Sequence, residues 1–372
     1  MIEIREVKTK KEIKDFLNLP LNMYRDNPYF CPPIYADEKN IFSSKNIYND
    51  QSESVYFNAY KDGKIVGRIQ GILQRASNEK HNEKRIRFTR FDSIDDQEVA
   101  TALFNAVENW GRSKGMEAIC GPLGYSDLDR EGLLIEGFDQ LSTFEEQYNF
   151  DYYQKLIENC GYEKEVDWLE FKLKPTDIDE DRLMKVSTRM LKKLNLHISS
   201  AKNKKDFIRK YGDKFFDCLD ATYVDLYGTV PFTPVMKKMM INNFQAILNL
   251  DLVMFILDEN ERIVCIGLCY PSITKALQKS MGHLTLPCLL KLNKSINNPD
   301  ILDLGLIGVL PEYANLAVST YILGHLIKYM KTHNVKHAET NLNLEENIHI
   351  LNEWKKFDHE QHKRRRAYLK KL

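Results

Sequence analysis

Two apolar runs each carry a carboxylate in what reads as a strand interior. Residues 301–309 are ILDLGLIGV and residues 336–344 are KHAETNLNL. Alternate side chains of a strand share a face, so Leu302, Leu304 and Leu306 point one way while Asp303, Gly305 and Ile307 point the other. By the same count His337, Glu339, Asn341 and Asn343 lie together. A central strand keeps a polar face where that face meets a cleft. Asp303 and Glu339 are therefore candidate proton acceptors, Glu339 slightly ahead. The competing reading pairs each carboxylate with a neighbouring Lys or Arg.

A second chemical feature follows the first of these strands. In VLPEYANLAVST, residues 309–320, Pro311 turns the chain and a helix begins among small uncharged residues. Loops of this design hold phosphate on the free N–H groups of the helix's first turn. They are usually rich in glycine, and this one has none. Tyr223 and Tyr227, in YVDLYGTVPFT, offer hydroxyls to a substrate or pack as core aromatics. The run HKRRR, residues 362–366, places Lys363 and Arg365 on one strand face and His362, Arg364 and Arg366 on the other. It reads as a solvated edge strand protected from aggregation, as a carboxylate or phosphate clamp centred on Arg365, or as a tRNA contact. His359 and His362 have no third ligand nearby, so no metal site is expected.

Bulk properties narrow the classes. The chain has 372 residues, enough for two domains, with 43% hydrophobic and 28% charged residues, a globular balance. Lys plus Arg and Asp plus Glu both total 53, which argues against a broad nucleic-acid footprint and leaves tRNA as an open partner. Seven scattered cysteines without a CxxC pair suggest free thiols in a reducing compartment. No leader is evident near Met1, and no apolar run reaches the ~20 residues of a membrane span. A cytoplasmic protein with no membrane partner is expected; the oligomeric state is not legible.

The elements that must position these residues come in two similar sets. MIEIREVK reads as a strand and the following residues as a helix. SVYFNAYKDGKIVGRIQGILQ is a hairpin about Lys61-Asp62-Gly63. RIRFTRFDSI is a strand, DDQEVATALFNAVENWGRSKG a helix and MEAICGPLG a buried strand. A long loop, the helix DYYQKLIENCG and the strand VDWLEFKL follow. The second set opens with LHISSA, has helices near 204–226 and 234–248, and forms a hairpin about Glu259-Asn260. After an inserted stretch at 273–297 come the strand 301–309, the loop, the helix AVSTYILGHLIKYMKTHN, the strand KHAETNLNL, the helix NIHILNEWKKF and the strand RRRAYLKK. Pro175 and the acids of KPTDIDED, 174–181, mark a boundary between units 1–175 and 176–372.

This order, with NPYFCPP, KDGKIVGRI, ICGPLG, GLLIEGFD, YYQKLIENCGYEKEVDWLEF, LYGTVPFT and EWKKFDHEQHKRRRAYLKKL, resembles a two-domain bacterial group of the GNAT acyl-CoA N-acyltransferases. The resemblance implies an α+β fold of two tandem GNAT-like domains, each a mixed, mainly antiparallel sheet flanked by helices. It also implies acetyl-CoA or another acyl-CoA as donor and a small-molecule or peptide amine as acceptor. The family's pyrophosphate loop, (Q/R)xxGx(G/A), falls on Ala314, Ala317 and Ser319, so both the cation and the glycines are missing. Val309, Leu310, Asn315, Leu316 and Val318 complete the implied cofactor loop. The family's Asn, followed seven residues later by an acidic Tyr, falls on Asn347 and Trp354, and an indole cannot protonate a thiolate near neutral pH. Asn347 is otherwise a helix cap. In the first half Asp92, Asp95 and Asp96 crowd the corresponding helix start and would repel pyrophosphate, so that half is expected to be degenerate. Two further readings compete with acyl-CoA transfer: a non-catalytic binding module of the same fold, and a Fem-like transferase using aminoacyl-tRNA.

Overall fold

The computed structural model describes residues 1–223 and 226–372, and of Phe244, Ala246, Ile247 and Asn315 the backbone alone. The strands among them are β1 (Ile2–Glu6), β2 (Ser52–Lys61), β3 (Lys64–Gln74), β4 (Arg85–Ser93), β5 (Ala118–Gly121), β6 (Leu133–Glu136), β7 (Glu163–Lys174), β8 (His197–Ile198), β9 (Val253–Leu257), β10 (Ile263–Pro271), β11 (Ile301–Val309), β12 (His337–Thr340), β13 (Asn343–Leu344) and β14 (Asp358–Lys371).

Local chemistry explains the first hairpin. Lys61 pairs with Lys64, leaving Asp62 and Gly63 as a two-residue turn with φ of 52° and 75°. Positive φ at both positions gives the turn a twist that suits the flanking strands. The helix Gln97–Ser113 starts at Asp96, whose carboxylate accepts from the Glu98 N–H at 3.0 Å and from the Val99 N–H. Val99, Leu103 and Val107 recur at four-residue spacing, are buried, and face β3. Gly67 permits the close approach, since a Cβ there would stand 2.8 Å from the Leu103 methyl.

One sheet runs through the molecule in the order β1-β2-β3-β4-β5-β14-β7-β12-β11-β10-β9-β8, with β13 on β7 and β6 on β14. Among the described residues only β4–β5 and β11–β12 are parallel pairs; the other pairs are antiparallel. The two closing strands are exchanged. β7, from residues 163–174, pairs with β12, while β14 at the end of the chain pairs with β5 and β7. The run 362–366 therefore lies in a central strand, which corrects the edge-strand reading. Periodicity marks a strand but not its neighbours, and these neighbours lie some two hundred residues away.

Apolar side chains gather on both sides of this sheet. One cluster surrounds helix Gln97–Ser113, a second joins helix Lys204–Tyr223 to β9 and β10, and a third lies under helix Ser319–Thr332. The helix Glu180–Lys193 forms in the stretch read as an acidic junction. Its N-cap is Asp179, and it packs along helix Ser319–Thr332, burying only Ser187 and Leu191. So small a buried face gives periodicity little to show. The seven cysteines are free, six of them buried and Cys160 half-buried.

Candidate active site

Each parallel pair is short. β11 and β12 pair only over Ile301–Leu304 and His337–Thr340. Past that point β11 continues beside β10, while the other chain leaves at Asn341 and joins β7 as β13. β4 and β5 part in the same way after Arg87 and Cys120. Each half thus contains a splayed pair of central strands followed, along the first strand, by a helix.

In the second half a row of ionisable groups crosses five adjacent strands. Tyr270 on β10 stands opposite Asp303 on β11, and Asp303 opposite Glu339 on β12. Glu170 on β7 stands opposite Lys363 on β14, with Arg365 beside it. None is more than 7% exposed. The Lys363 ammonium donates to Glu339 at 3.1 Å and to Glu170 at 3.2 Å. Arg365 donates to Glu170 at 2.5 Å and to the Gln147 carbonyl. His337 lies 3.3 Å and His362 3.6 Å from the Glu339 carboxylate. The segment around residues 145–147 covers the row, with Glu145 accepting from Asn341 at 2.7 Å and Glu146 3.6 Å from Arg365.

The two candidate carboxylates have opposite electrostatics. Burial alone would push Glu339 up, but the Lys363 charge and the His337 hydrogen bond outweigh it and hold the group well below the usual carboxylate range. Asp303 moves the other way. Burial, then the charges of Glu339 and Glu145, drive it well above its ordinary value, against weaker pull from the Ser272 hydroxyl and Lys363. Neither Asp303 oxygen makes a well-formed hydrogen bond among the described residues, nor does the Tyr270 hydroxyl. Burial also pushes Glu146 up to about 8 and presses His362 down to about 3, so that imidazole stays neutral. The pairing anticipated as the alternative for Glu339 is thus present, and Asp303 is the carboxylate left over. A carboxyl raised by burial is the stronger proton acceptor once ionised.

A cavity of about 190 Å³ reaches this row, with Glu339 in one wall and Ser142, Ser272, Thr274, Lys275 and Lys294 in others. A larger one, about 480 Å³, lies where the two halves meet and is lined by Arg85, Arg87, Cys120, Glu165, Tyr227 and Asn347, among others. Its cations are engaged by the protein itself. Arg85 bonds Glu83 and Glu165, and Arg87 bonds Ser77 at 2.8 Å and the carbonyls of Gly228 and Gly124.

The remaining expected site residues are dispersed. Tyr227 faces the larger cavity and bonds Glu165, whereas Tyr223 donates to the Ile307 carbonyl at 3.1 Å and packs on the second core cluster. Asn347 caps the helix Ile348–Trp354, accepting from the Ile350 N–H at 3.3 Å. Trp354 is buried and donates to Asn343. After Val309 the chain winds through a 3-10 helix, Pro311–Leu316, and passes Ala317 at φ 51° before the α-helix begins at Ser319. Leu310 and Val318 belong to the core; Ala314, Leu316 and Ala317 are exposed; the side chain of Asn315 lies outside the described residues. The Ser319 hydroxyl donates to Glu353 at 3.1 Å, which sets a carboxylate at the front of the helix. Arg365 is sealed in the row rather than presented to solvent.

Sequence reasoning missed Tyr270, Glu145, Glu146, Glu170 and Lys363 as members of this site. Glu170 was the legible one, because it interrupts the apolar alternation of WLEFKL as Asp303 interrupts ILDLGLIGV. Among the described residues no group of three or more His, Cys, Asp or Glu is arranged to hold a metal ion.

Comparison with known proteins fixes the fold. The chain superposes over its whole length on a tandem GNAT protein from the clavulanic acid biosynthesis pathway, with a TM-score of 0.57 and 10% identity, covering 98% of that chain. A GCN5-related N-acetyltransferase from Sphaerobacter thermophilus matches with a TM-score of 0.53 and 9% identity over all of this chain and 95% of that one. The molecule is thus an α+β protein of the tandem GNAT fold. In sequence it is 29% identical over 231 residues to Protein YghO of Escherichia coli, covering 62% of this chain and 58% of that protein. It is 30% identical over 183 residues to a bacterial ceramide synthase of Caulobacter vibrioides, covering 48% and 47%. The chain therefore spans about half the length of these curated relatives. A family described as 7TMR-DISM extracellular 2 matches residues 135–216, a minor share that runs from β6 across β7 into helix Lys204–Tyr223.

Proposed function

We propose that the protein transfers an acyl group from acyl-CoA to an amine, and that the reaction runs in the second half with Asp303 as proton acceptor. The amine nitrogen attacks the thioester carbonyl, its proton passes to the Asp303 carboxylate, the carbon–sulfur bond breaks, and the thiolate leaves and takes up a proton. The proton taken up by Asp303 is available to return to the thiolate, and Tyr270, which burial keeps protonated, stands beside it as a hydrogen-bond donor. The observation that carries this reading is the unpaired, raised carboxyl of Asp303 beside splayed parallel strands in a GNAT fold. The likeness to a ceramide synthase makes a long-chain amino alcohol the first acceptor to test, since a ceramide is the amide of such an amine.

The donor's phosphates are poorly provided for. Glu353 stands at one helix front and Asp96 caps the other, so both carboxylates oppose a pyrophosphate there. This specific observation favours the non-catalytic module as the second reading. The tRNA reading loses its main support, because Lys363 and Arg364–Arg366 are all paired with carboxylates of the protein.

Thermal unfolding with acetyl-CoA and long-chain acyl-CoA, followed by thiol release on adding amines, tests the proposal. Saturating donor at about a hundred times its dissociation constant should stabilise by roughly 2.7 kcal/mol. Asp303→Asn should lower kcat by about 10²–10⁴-fold while preserving that shift. The wild-type rate should rise with pH as Asp303 ionises, and the variant should keep only the limb due to the amine. Absence of any shift, with no thiol release, would leave the binding module standing.

A further inference from the structure

The inserted stretch has a surface unlike the rest of the molecule. Residues 273–297 contain Lys275, Lys279, Lys291, Lys294 and His283 and no acid, in a chain whose charges balance as a whole. They fold as two helices, Thr274–Lys279 and Leu286–Asn297. The second helix uses one face on the protein: Cys288 is buried and Leu292 packs with Cys31, Ile273, Ala276 and Leu277. Its other face is apolar and uncovered. Leu286, Leu289 and Leu290, at helical spacing i, i+3 and i+4, are 71%, 46% and 66% exposed, and Leu284 just before them is 46% exposed. Other exposed large apolar side chains among the described residues, such as Leu128, Val186, Val235 and Ile348, lie singly along the chain. The four lysines are exposed as well.

We propose that this helix docks the protein on an anionic lipid bilayer, the leucines entering the acyl boundary and the lysines meeting headgroup phosphates. An amphipathic helix with apolar and lysine-rich sides lies in the interface plane by this combination of apolar burial and charge. Charge also argues against a second copy as occupant, because face-to-face pairing would bring two sets of lysines together. No helix among the described residues is long and apolar enough to cross a membrane, and surface docking needs none. The proposal departs from the expectation of no membrane partner, which rested on the lack of a span. The same helix supplies Lys294 and Ser295 to the cavity that ends at Glu339, and Lys275 lines it too. Docking would set that cavity beside the lipid surface. The proposal does not depend on the acyl-transfer reading, and its test requires no turnover.

Co-sedimentation with vesicles of phosphatidylglycerol and phosphatidylcholine, against vesicles of phosphatidylcholine alone, provides the test. The full chain should bind the anionic vesicles, and binding should weaken by about tenfold or more without the anionic lipid or in high salt. The triple variant Leu286→Ser, Leu289→Ser, Leu290→Ser should lose about tenfold or more while keeping the wild-type melting temperature, since these side chains support no core. The variant Lys275→Gln, Lys279→Gln, Lys291→Gln, Lys294→Gln should lose the preference for phosphatidylglycerol. Failure to bind anionic vesicles overturns the proposal. So does binding that the leucine variant leaves unchanged, or sedimentation showing a dimer that the leucine variant dissociates.

Discussion

Asp303 bears a stability cost that Glu339, directly opposite it, does not. Its folded pKa is raised, so the folded state holds a proton that the unfolded chain releases near the ordinary carboxylate value. Stability from this group is present below that value and is lost as pH rises toward the folded pKa. Asp303→Asn should therefore be more stable than wild type at pH 7, by about 1 kcal/mol or more, because the amide has no proton to take up on folding and each pKa unit corresponds to ~1.4 kcal/mol. The gap should close toward pH 4, and urea unfolding across this range measures it. Lys363 has the opposite character. It joins Glu339 and Glu170 from a fully buried position, and Lys363→Met should cost about 3–5 kcal/mol because it leaves buried carboxylates without their cation. Both Asp303 and Glu339 were legible as polar interruptions of apolar strands. Their ranking was not, because the cation that neutralises Glu339 sits on β14, and alternation alone does not show that β14 lies two strands away.

The loop and helix after β11 show how an element keeps its outline while its chemistry changes. The strand, turn and helix are where the periodicity puts them, but the turn is a 3-10 helix closed by Ala317 in the left-handed region. A Cβ there costs about 1–2 kcal/mol relative to glycine. Ala317→Gly should accordingly stabilise the fold by roughly 1 kcal/mol, read as a rise in the urea midpoint with unchanged slope. Glu353 comes from a different helix, so nothing local in residues 309–320 announces a carboxylate at Ser319. If acyl-CoA phosphates approach this helix front, Glu353→Gln should tighten donor binding by about two- to tenfold by removing a charge within a few ångströms. A calorimetric titration in which the variant binds no better than wild type would place the phosphates elsewhere.

At the scale of the molecule the decisive feature is the exchange of closing strands. The two halves were legible as repeats, since each reads as strand, helix, hairpin and parallel pair in the same order. The partner of each closing strand was not, because periodicity marks a strand without naming its neighbours, and β14 finds its partners some two hundred residues back. With β14 on β7 along most of its length and on β6 and then β5 along its other side, removing one half's closing strand opens a sheet edge in the other. Neither half can then unfold while the other keeps its pairing, and the chain should behave as one cooperative unit despite its length. Two tryptophans report on this separately: Trp110 in helix Gln97–Ser113 and Trp354 near the third core cluster. Variants retaining only one or the other should give urea midpoints that coincide within error. Two separated transitions would mean that β14 leaves the first half before the second half melts, and that the shared sheet contributes little to holding the site's strands in register.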